Sequence, residues 1–409
     1  MNWARSAAVV RAPATSANLG PGFDAFGLAL GLYDQVEARV TGGGLAVEVS
    51  GEGAETAGAG ERHLVVTAMR AAFARLGGQP PGIALRCANG IPHGRGLGSS
   101  AAAVVSGVLA ARALVPGGAD RMPGAEVLRL AVDLEGHPDN VAACLAGGLT
   151  VAWQPAVADG CAGSVAGVVR GEPGAGSVAG VVPGEPGAGS VADLAPGADV
   201  IRGEGRPVSL LRLDVHAAIS VVACVAPSAM ATHEARAALP ASVPHADAAA
   251  NAARSALLLA ALTSDPSVLF DATEDYLHQR YRAAAMPPTA DLLARLRRAG
   301  VAAVISGAGP SVLALGLADA RPGLAMVDSI ARETGIAWRV TPLKVDRQGA
   351  TVQPGGTGEP PPETAWQGRS TNQDPEPGVH PAGGSTQGRA TTPATHGPQS
   401  RECRGLLWC

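Results

Sequence analysis

Apolar residues alternate along Val9-Val10-Arg11-Ala12-Pro13, which predicts a strand ending at the proline. They alternate again through Leu28, Leu30, Val36 and Val40, which predicts further strands as far as the break at Gly42-Gly43-Gly44. The period then changes. Between 61 and 76, Leu64, Val65, Ala68, Ala72, Phe73 and Leu76 fall at helical spacing, and Gly77-Gly78 supplies the stop. Ile83, Leu85 and Cys87 form another alternating strand. It delivers the chain into Ile91-Pro92-His93-Gly94-Arg95-Gly96-Leu97-Gly98-Ser99-Ser100-Ala101-Ala102-Ala103. A helix is expected over 101–114, capped by Ser99 or Ser100 and stopped by Pro116-Gly117. A helical run over 127–134 ends at Gly136. Residues 208–225 alternate as strands and 247–262 are helical. A further helix ends at 278–282 before Pro287-Pro288. Residues 304–315 read as strand, glycine turn, strand.

Between these blocks the chain changes character. Residues 162–174 read AGSVAGVVRGEPG, residues 175–187 read AGSVAGVVPGEPG, and AGSVAD follows. Two copies rich in Gly and Pro cannot stack into a solenoid. The stretch 155–206 is therefore expected to be a flexible insertion, which loop-closure entropy tolerates. Past about 352, Pro, Gly, Thr, Gln and Ser dominate, and such a segment buries too little apolar surface to order itself. The expected division is 1–154, a low-complexity insertion over 155–206, 207–348, and a disordered tail over 349–409.

The net charge of −4 on 409 residues, with no long basic run, argues against a nucleic-acid partner. None of the six cysteines forms a Cys-x-x-Cys pair, so neither zinc nor a disulfide framework is expected. No apolar run reaches the length of a spanning helix, and the N-terminus carries no apolar leader, so a cytoplasmic protein without membrane attachment is expected.

The candidate chemistry begins at the glycine loop. Alternating glycines let a ligand approach the backbone, and the first turn of the following helix offers unpartnered N–H groups and the positive end of a dipole. Phosphate is the expected guest. The loop lacks the Lys of a Walker motif, and the single lysine of the chain is Lys344. Its glycine spacing also differs from the dinucleotide fingerprint. Upstream, Asn18 and Asp24 lie in a loop of small residues, able to aim a carboxamide and a carboxylate at a polar ligand. The run Asp133-Leu134-Glu135-Gly136-His137-Pro138-Asp139-Asn140 gathers polar groups at a junction between helices. Thr232 and Arg236 share one face if a helix begins by Thr232.

Pro92-x-x-x-Gly-Leu-Gly-Ser-Ser-Ala-Ala resembles the ATP loop of the GHMP small-molecule kinases. Pro-Ala-Thr-Ser-Ala-Asn-Leu-Gly-Pro-Gly-Phe-Asp24 and Glu135-Gly-His-Pro-Asp-Asn-Val resemble signatures of the homoserine kinases among them. Ser306-Gly307-Ala308-Gly309-Pro310-Ser311 is similar to the third GHMP signature. The resemblance implies an α+β fold of two domains: an N-terminal ATP-loop domain and a C-terminal ferredoxin-like α/β plait. It implies ATP-dependent phosphorylation of L-homoserine to O-phospho-L-homoserine, on the route to threonine, with Mg²⁺, and it leaves a homodimer open. It places ATP on Pro92, His93, Gly94, Arg95, Gly96, Leu97, Gly98, Ser99, Ser100, Ala101 and Ala102. Mg²⁺ falls to Ser99 or Ser100 with an acid on the preceding helix, Asp133 or Glu135. The amino acid falls to Asn18, Asp24, His137, Asp139, Thr232, Arg282 and Gly307, with Asn140 and Arg236 acting in catalysis. The family's His-Gln-Pro-Tyr-Arg run has Arg280 in place of its proline here. Where related kinases place an Asp base this chain has Asn140, and an amide takes no proton at neutral pH. The hydroxyl proton is therefore expected to pass to the γ-phosphate without a dedicated base. The alternatives are a kinase for another small alcohol and a non-catalytic relative that binds ligand.

Overall fold

The structure is a computed structural model that describes residues 3–4, 6–55, 60–154, 201–202, 208–317 and 323–355. Most of the expected insertion, including both repeats, and residues 356–409 of the expected tail lie outside the described residues.

The elements of the first half are β1 (Ala8–Ala17), β2 (Phe26–Thr41), β3 (Gly44–Gly51), α1 (Leu64–Arg75), β4 (Gly82–Asn89), α2 (Ser99–Leu114), α3 (Gly118–Arg121), α4 (Gly124–Glu135), α5 (Pro138–Ala146) and β5 (Leu149–Trp153). After them come β6 (Ile201–Arg202), β7 (Ser209–Leu213), β8 (Ile219–Val225), α6 (Thr232–Ala237), α7 (His245–Thr263), α8 (Leu269–Ala272), α9 (Gln279–Arg282) and α10 (Pro287–Arg298). The chain continues through β9 (Ala302–Ile305), β10 (Val312–Leu317), α11 (Leu324–Glu333), β11 (Arg339–Leu343) and β12 (Thr351–Pro354).

The first sheet runs β12-β1-β2-β5-β7-β6, with β4 also on β2 and β3 on β4. The long strand β2 pairs with β1 along one edge and serves two partners on the other: Phe26–Leu28 pair with β5 and Asp34–Thr41 with β4. β1 does not stop at Pro13. Its register shifts between Pro13 and Ala14 and the strand continues to Ala17, because a bulge is where a strand accommodates a residue with no N–H. β12 pairs with β1 antiparallel, so the chain just past 349 is ordered as a strand. α2 is apolar almost all round, the mark of a core helix. It lies so close to α1 that a Cβ on Gly107 would sit 2.5 Å from Val65 O. Ser99 and Ser100 are its first two residues rather than its cap. Gly98 precedes them in the left-handed region (φ 71°), with no side-chain cap bond.

The second sheet has the order β11-β8-β10-β9, all antiparallel. With its helices the chain order is β-α-β-β-α-β, the ferredoxin-like plait. One face packs Val222, Cys224, Ala303 and Val312 on Leu292 and Leu296 of α10 and Val327 of α11. The other joins the main core with Leu258 and Leu262 of α7. Val312, two residues past Pro310, lies where β10 returns from the glycine turn Ser306–Ser311.

Phe73 of α1 is fully buried and meets Trp3 edge-on with ring centroids 5.4 Å apart. Phe73→Ala is expected to cost about 3–5 kcal/mol, read as a lower urea midpoint with an unchanged slope.

Candidate active site

The site is assembled where the glycine loop, the end of β1 and the Ser306–Ser311 turn converge. Gly96 O accepts the Ser306 hydroxyl at 2.6 Å, and Ser306 O lies 2.2 Å from where a Gly96 Cβ would be. Gly307 N donates to Ala17 O at 3.1 Å, and Gly307 O accepts Asn18 Nδ2 at 2.8 Å. Asn18, Leu19 and Asp24 have φ of 68°, 48° and 56°. Non-glycine residues hold that region only when neighbours over-determine them. Here Asn18 N donates to Phe26 O, Asp24 N donates to Asn18 Oδ1, and Asn251 and Ser255 both donate to Pro21 O.

These elements enclose a cavity of about 130 Å³. Its walls include Asn18, Asp24, Gly94, Gly96, Gly98, Ser99 and Ser100 on one side, Glu135, His137, Asp139 and Asn140 on another, and Thr232, Arg236, Arg282 and Gly307 opposite. Every residue expected to meet the amino acid is thus brought together. The loop residues divide. Pro92, Leu97, Ala101 and Ala102 are buried and anchor the loop instead of facing this cavity. Arg95 is turned away: it donates to Ala226 O, His93 O and Pro227 O, tying the loop to the end of β8. His93 lines a second cavity of about 320 Å³, with Asp34, His63, Asn89 and Ser106. Ser99 and Ser100 border both cavities. His63 Nδ1 and Ser106 Oγ are buried there without a hydrogen-bond partner.

The two candidate acids also separate. Ser100 Oγ donates to Glu135 Oε2 at 2.7 Å, and Glu135 faces the cavity. Asp133 is outside it, exposed and 3.4 Å from Arg129 across one helical turn. Two residues are about 200° apart on a helix, so only one can face the site. Glu135 continues the buried stripe Leu128–Ala131, whereas Asp133 continues from Arg129, and that phase could have been read beforehand. No group of three or more His, Cys, Asp or Glu side chains poised for a metal occurs among the described residues.

Three carboxylates, Asp24, Glu135 and Asp139, face two guanidiniums, Arg236 and Arg282, inside the cavity. Arg236 grips Asp24 through both nitrogens, Nη2 to Oδ1 at 2.7 Å and Nη1 to Oδ2 at 3.2 Å, while its Nε is buried and unpartnered. Arg282, fully buried, donates to Ala235 O and reaches His278 Nδ1 at 3.0 Å. A guanidinium only donates, so His278 Nδ1 accepts and its Nε2–H donates to Gly20 O at 2.9 Å. His278 is therefore neutral, and burial pushes its pKa below the usual imidazole value. Burial also raises Asp139, to about 6, and raises Glu135. His137 is lowered, first by burial and then by Arg236.

Three further contributors were not among the expected site residues, although Thr15 and Ser306 lie inside the quoted signatures. Thr15 donates to Asn140 Oδ1, and Ser306 holds Gly96. Asp34 Oδ1 accepts the N–H groups of both Gly90 and Ile91, fixing the approach to the loop. Burial pushes Asp34 up to about 6.

Two outcomes follow from this packing. Gly96→Ala meets both a positive φ of 72° and the Ser306–Gly309 backbone. The left-handed strain alone costs about 1–2 kcal/mol, and the loop is forced off the turn. Thermal melts and nucleotide titration should show lower stability and weaker binding together. Asp34 gives a pH signature. Its folded pKa lies above the unfolded value of 3.8, so the stability it contributes is present below that value and lost as pH rises through about 6. Asp34→Asn keeps the acceptor for Gly90 and Ile91. Its melting temperature relative to the parent is expected to be more favourable at about pH 7.5 than at about pH 4.5.

Residues 63–148 match the family described as GHMP kinases N terminal domain, and residues 244–329 match GHMP kinases C terminal. The chain is 48% identical over 351 residues to the homoserine kinase of Streptomyces coelicolor, covering 86% of this chain and 96% of that one. It is 43% identical over 345 residues to the homoserine kinase of Clavibacter michiganensis, covering 84% and 93%. The crystal structure of homoserine kinase from Cytophaga hutchinsonii superposes with a TM-score of 0.62 at 23% identity, covering 85% of this chain and 97% of that chain, and so shares its fold. The matched length, the order of the signatures and the site they assemble lead to one conclusion: this chain belongs to the homoserine kinase family of the GHMP kinases.

Proposed function

We propose that the chain transfers the γ-phosphoryl group of ATP to the hydroxyl of L-homoserine, giving ADP and O-phospho-L-homoserine, a step toward threonine. One observation carries the reading. Ser99 and Ser100, at the start of α2, border two cavities at once. One is a hollow of about 320 Å³ suited to a nucleoside. The other is small and polar and contains both carboxylates and guanidiniums. A triphosphate spanning the two would lie along the glycine loop and the unpartnered N–H groups of the helix start.

The mixed charge of the small cavity favours an amino acid. Arg236 and Arg282 suit its carboxylate, with Arg236 bonding bidentately as it already does to Asp24. Asp24 and Asp139 suit its ammonium, and Asn18, His137, Thr232 and Gly307 complete the wall. An alcohol with a carboxylate but no ammonium, such as mevalonate, would draw on Arg236, the partner of Asp24, and bring no cation to Asp139.

Mg²⁺ fits the residues present. Ser100 and Glu135 offer a hydroxyl and a carboxylate 2.7 Å apart, a hard oxygen pair whose carboxylate is raised by burial and would be relieved by a cation. When bound, the ion neutralises charge on the phosphates. The protein's own contribution is alignment and electrostatics. Asn140 can donate but cannot take a proton, and the hydroxyl proton ends on the transferred phosphoryl group.

ADP release with excess Mg²⁺ and ATP tests the reading against L-homoserine, L-threonine, mevalonate and galactose. Turnover confined to L-homoserine is expected. Turnover with mevalonate or galactose alone would overturn the substrate assignment, and nucleotide binding without turnover would leave a non-catalytic relative. The pH profile is a second check. kcat/KM for homoserine should fall as pH drops through about 6, where Asp139 gains its proton and its hold on the ammonium weakens. Asp139→Asn should remove that limb and raise KM with kcat within about tenfold. A kcat loss of several orders of magnitude at unchanged KM would make Asp139 a base instead.

A further inference from the structure

Thr15 belongs to no expected binding residue, yet it is fully buried at the meeting point of three parts of the site. Its N–H donates to Leu97 O at 3.0 Å, joining β1 to the glycine loop. Its hydroxyl donates to Asn140 Oδ1 at 2.8 Å. That hydroxyl also lies beneath Gly98. A Cβ on Gly98 would be 1.9 Å from Thr15 Oγ1 and 3.2 Å from Asn140 Oδ1. Only glycine at 98 leaves room for the pair.

A carboxamide has an accepting end and a donating end, and its neighbours decide which way round it sits. Two neighbours agree here. The buried Thr15 hydroxyl could also accept, but its hydrogen would then be left without an acceptor, because Asn140 is its one hydrogen-bond partner among the described residues; this favours Oδ1 on its side. Asp139 Oδ1 lies 3.5 Å from Asn140 Nδ2, so the reverse orientation would set amide oxygen against carboxylate oxygen. With Oδ1 consumed under Gly98 and Nδ2 making only that long contact, Asn140 retains an N–H for the cavity it lines beside Ser99 and Ser100.

We infer that Thr15 is a positioning residue: it locks the Asn140 carboxamide with its NH₂ toward the phosphoryl group in transit. This rests on the kinase reading above. In the transfer, the acceptor hydroxyl oxygen forms the new bond to the γ-phosphorus while the bond from that phosphorus to the bridging oxygen breaks. ADP leaves with the electron pair, and the hydroxyl proton ends on an oxygen of the transferred phosphoryl group. A fixed N–H donor stabilises charge on that group at no cost of reorientation. An amide free to turn presents its oxygen part of the time and repels the same charge.

The test uses Thr15→Val, which keeps the shape and removes the hydroxyl, and Thr15→Ser, which keeps the hydroxyl. Thr15→Ala is the second deletion if the valine variant does not fold. Loss of the hydroxyl should lower kcat about 10- to 100-fold, with KM for both substrates within about threefold, and Thr15→Ser should stay within about threefold of the parent. Combined with Asn140→Leu, Thr15→Val should add less than about threefold, because both changes remove one device. Near-parental kcat in the hydroxyl-less variants, or a loss that multiplies with that of Asn140→Leu, overturns the inference. An independent readout needs no turnover. In ¹⁵N-labelled protein, the side-chain amide signals that vanish in Asn140→Leu should shift in Thr15→Val and stay in place in Thr15→Ser. Signals unmoved in Thr15→Val overturn the inference whatever the acceptor. Parental inactivity on homoserine with the amide shift intact would instead remove the substrate reading and leave Thr15 in its role.

Discussion

The site depends on how closely backbone can approach backbone around the glycine loop. Gly96 lies against the carbonyls of Ser306 and Gly309, and Gly98 lies against the hydroxyl of Thr15. At both positions a Cβ would fall inside the neighbour's atoms, and at both the chain takes a positive φ that other residues rarely hold. This proximity lets residues from opposite ends of the chain line one small cavity. The loop supplies Ser99 and Ser100, β1 leads to Asn18 and Asp24, and the plait contributes Arg236, Arg282 and Gly307.

Proximity brings unlike charges together, and the second half of the design is how they are held apart from water. Arg236 occupies Asp24 bidentately, Arg282 is held by Ala235 O and a neutral His278, and Ser100 covers Glu135. Buried carboxylates with raised pKa values, Asp139 above all, are poised for a cationic partner. A ligand carrying an ammonium, a carboxylate and a hydroxyl can satisfy the whole set, which a singly charged alcohol cannot.

Much of this was legible in residues whose type is dictated by local chemistry. The alternating stretches became β1 and β2, the glycine loop did lead into α2, and Thr232 and Arg236 do share α6. The misses have physical reasons. Pro13 read as a strand end because a bulge depends on the partner strand's register, which periodicity does not carry. Residues Thr351–Pro354 sit in a stretch of loop-like composition and become a strand only because β1 offers an open edge. The place of Arg95 in the motif did not show that three backbone carbonyls hold its guanidinium. Asp133 and Glu135 were separable by helical phase alone. Thr15 lies inside a quoted signature, but its role was not legible: a buried threonine in a strand looks like ordinary β propensity until Asn140 arrives from 125 residues away.

The most direct test of the central claim is a crystal structure with a non-hydrolysable ATP analogue, Mg²⁺ and L-homoserine. Phosphates are expected on Gly94–Ser100, the ion on Ser100 and Glu135, and the amino acid between Asp24 and Arg236 with its hydroxyl beside Asn140. Homoserine bound elsewhere, with the Asp24–Arg236 pair undisturbed and the small cavity empty, would contradict it.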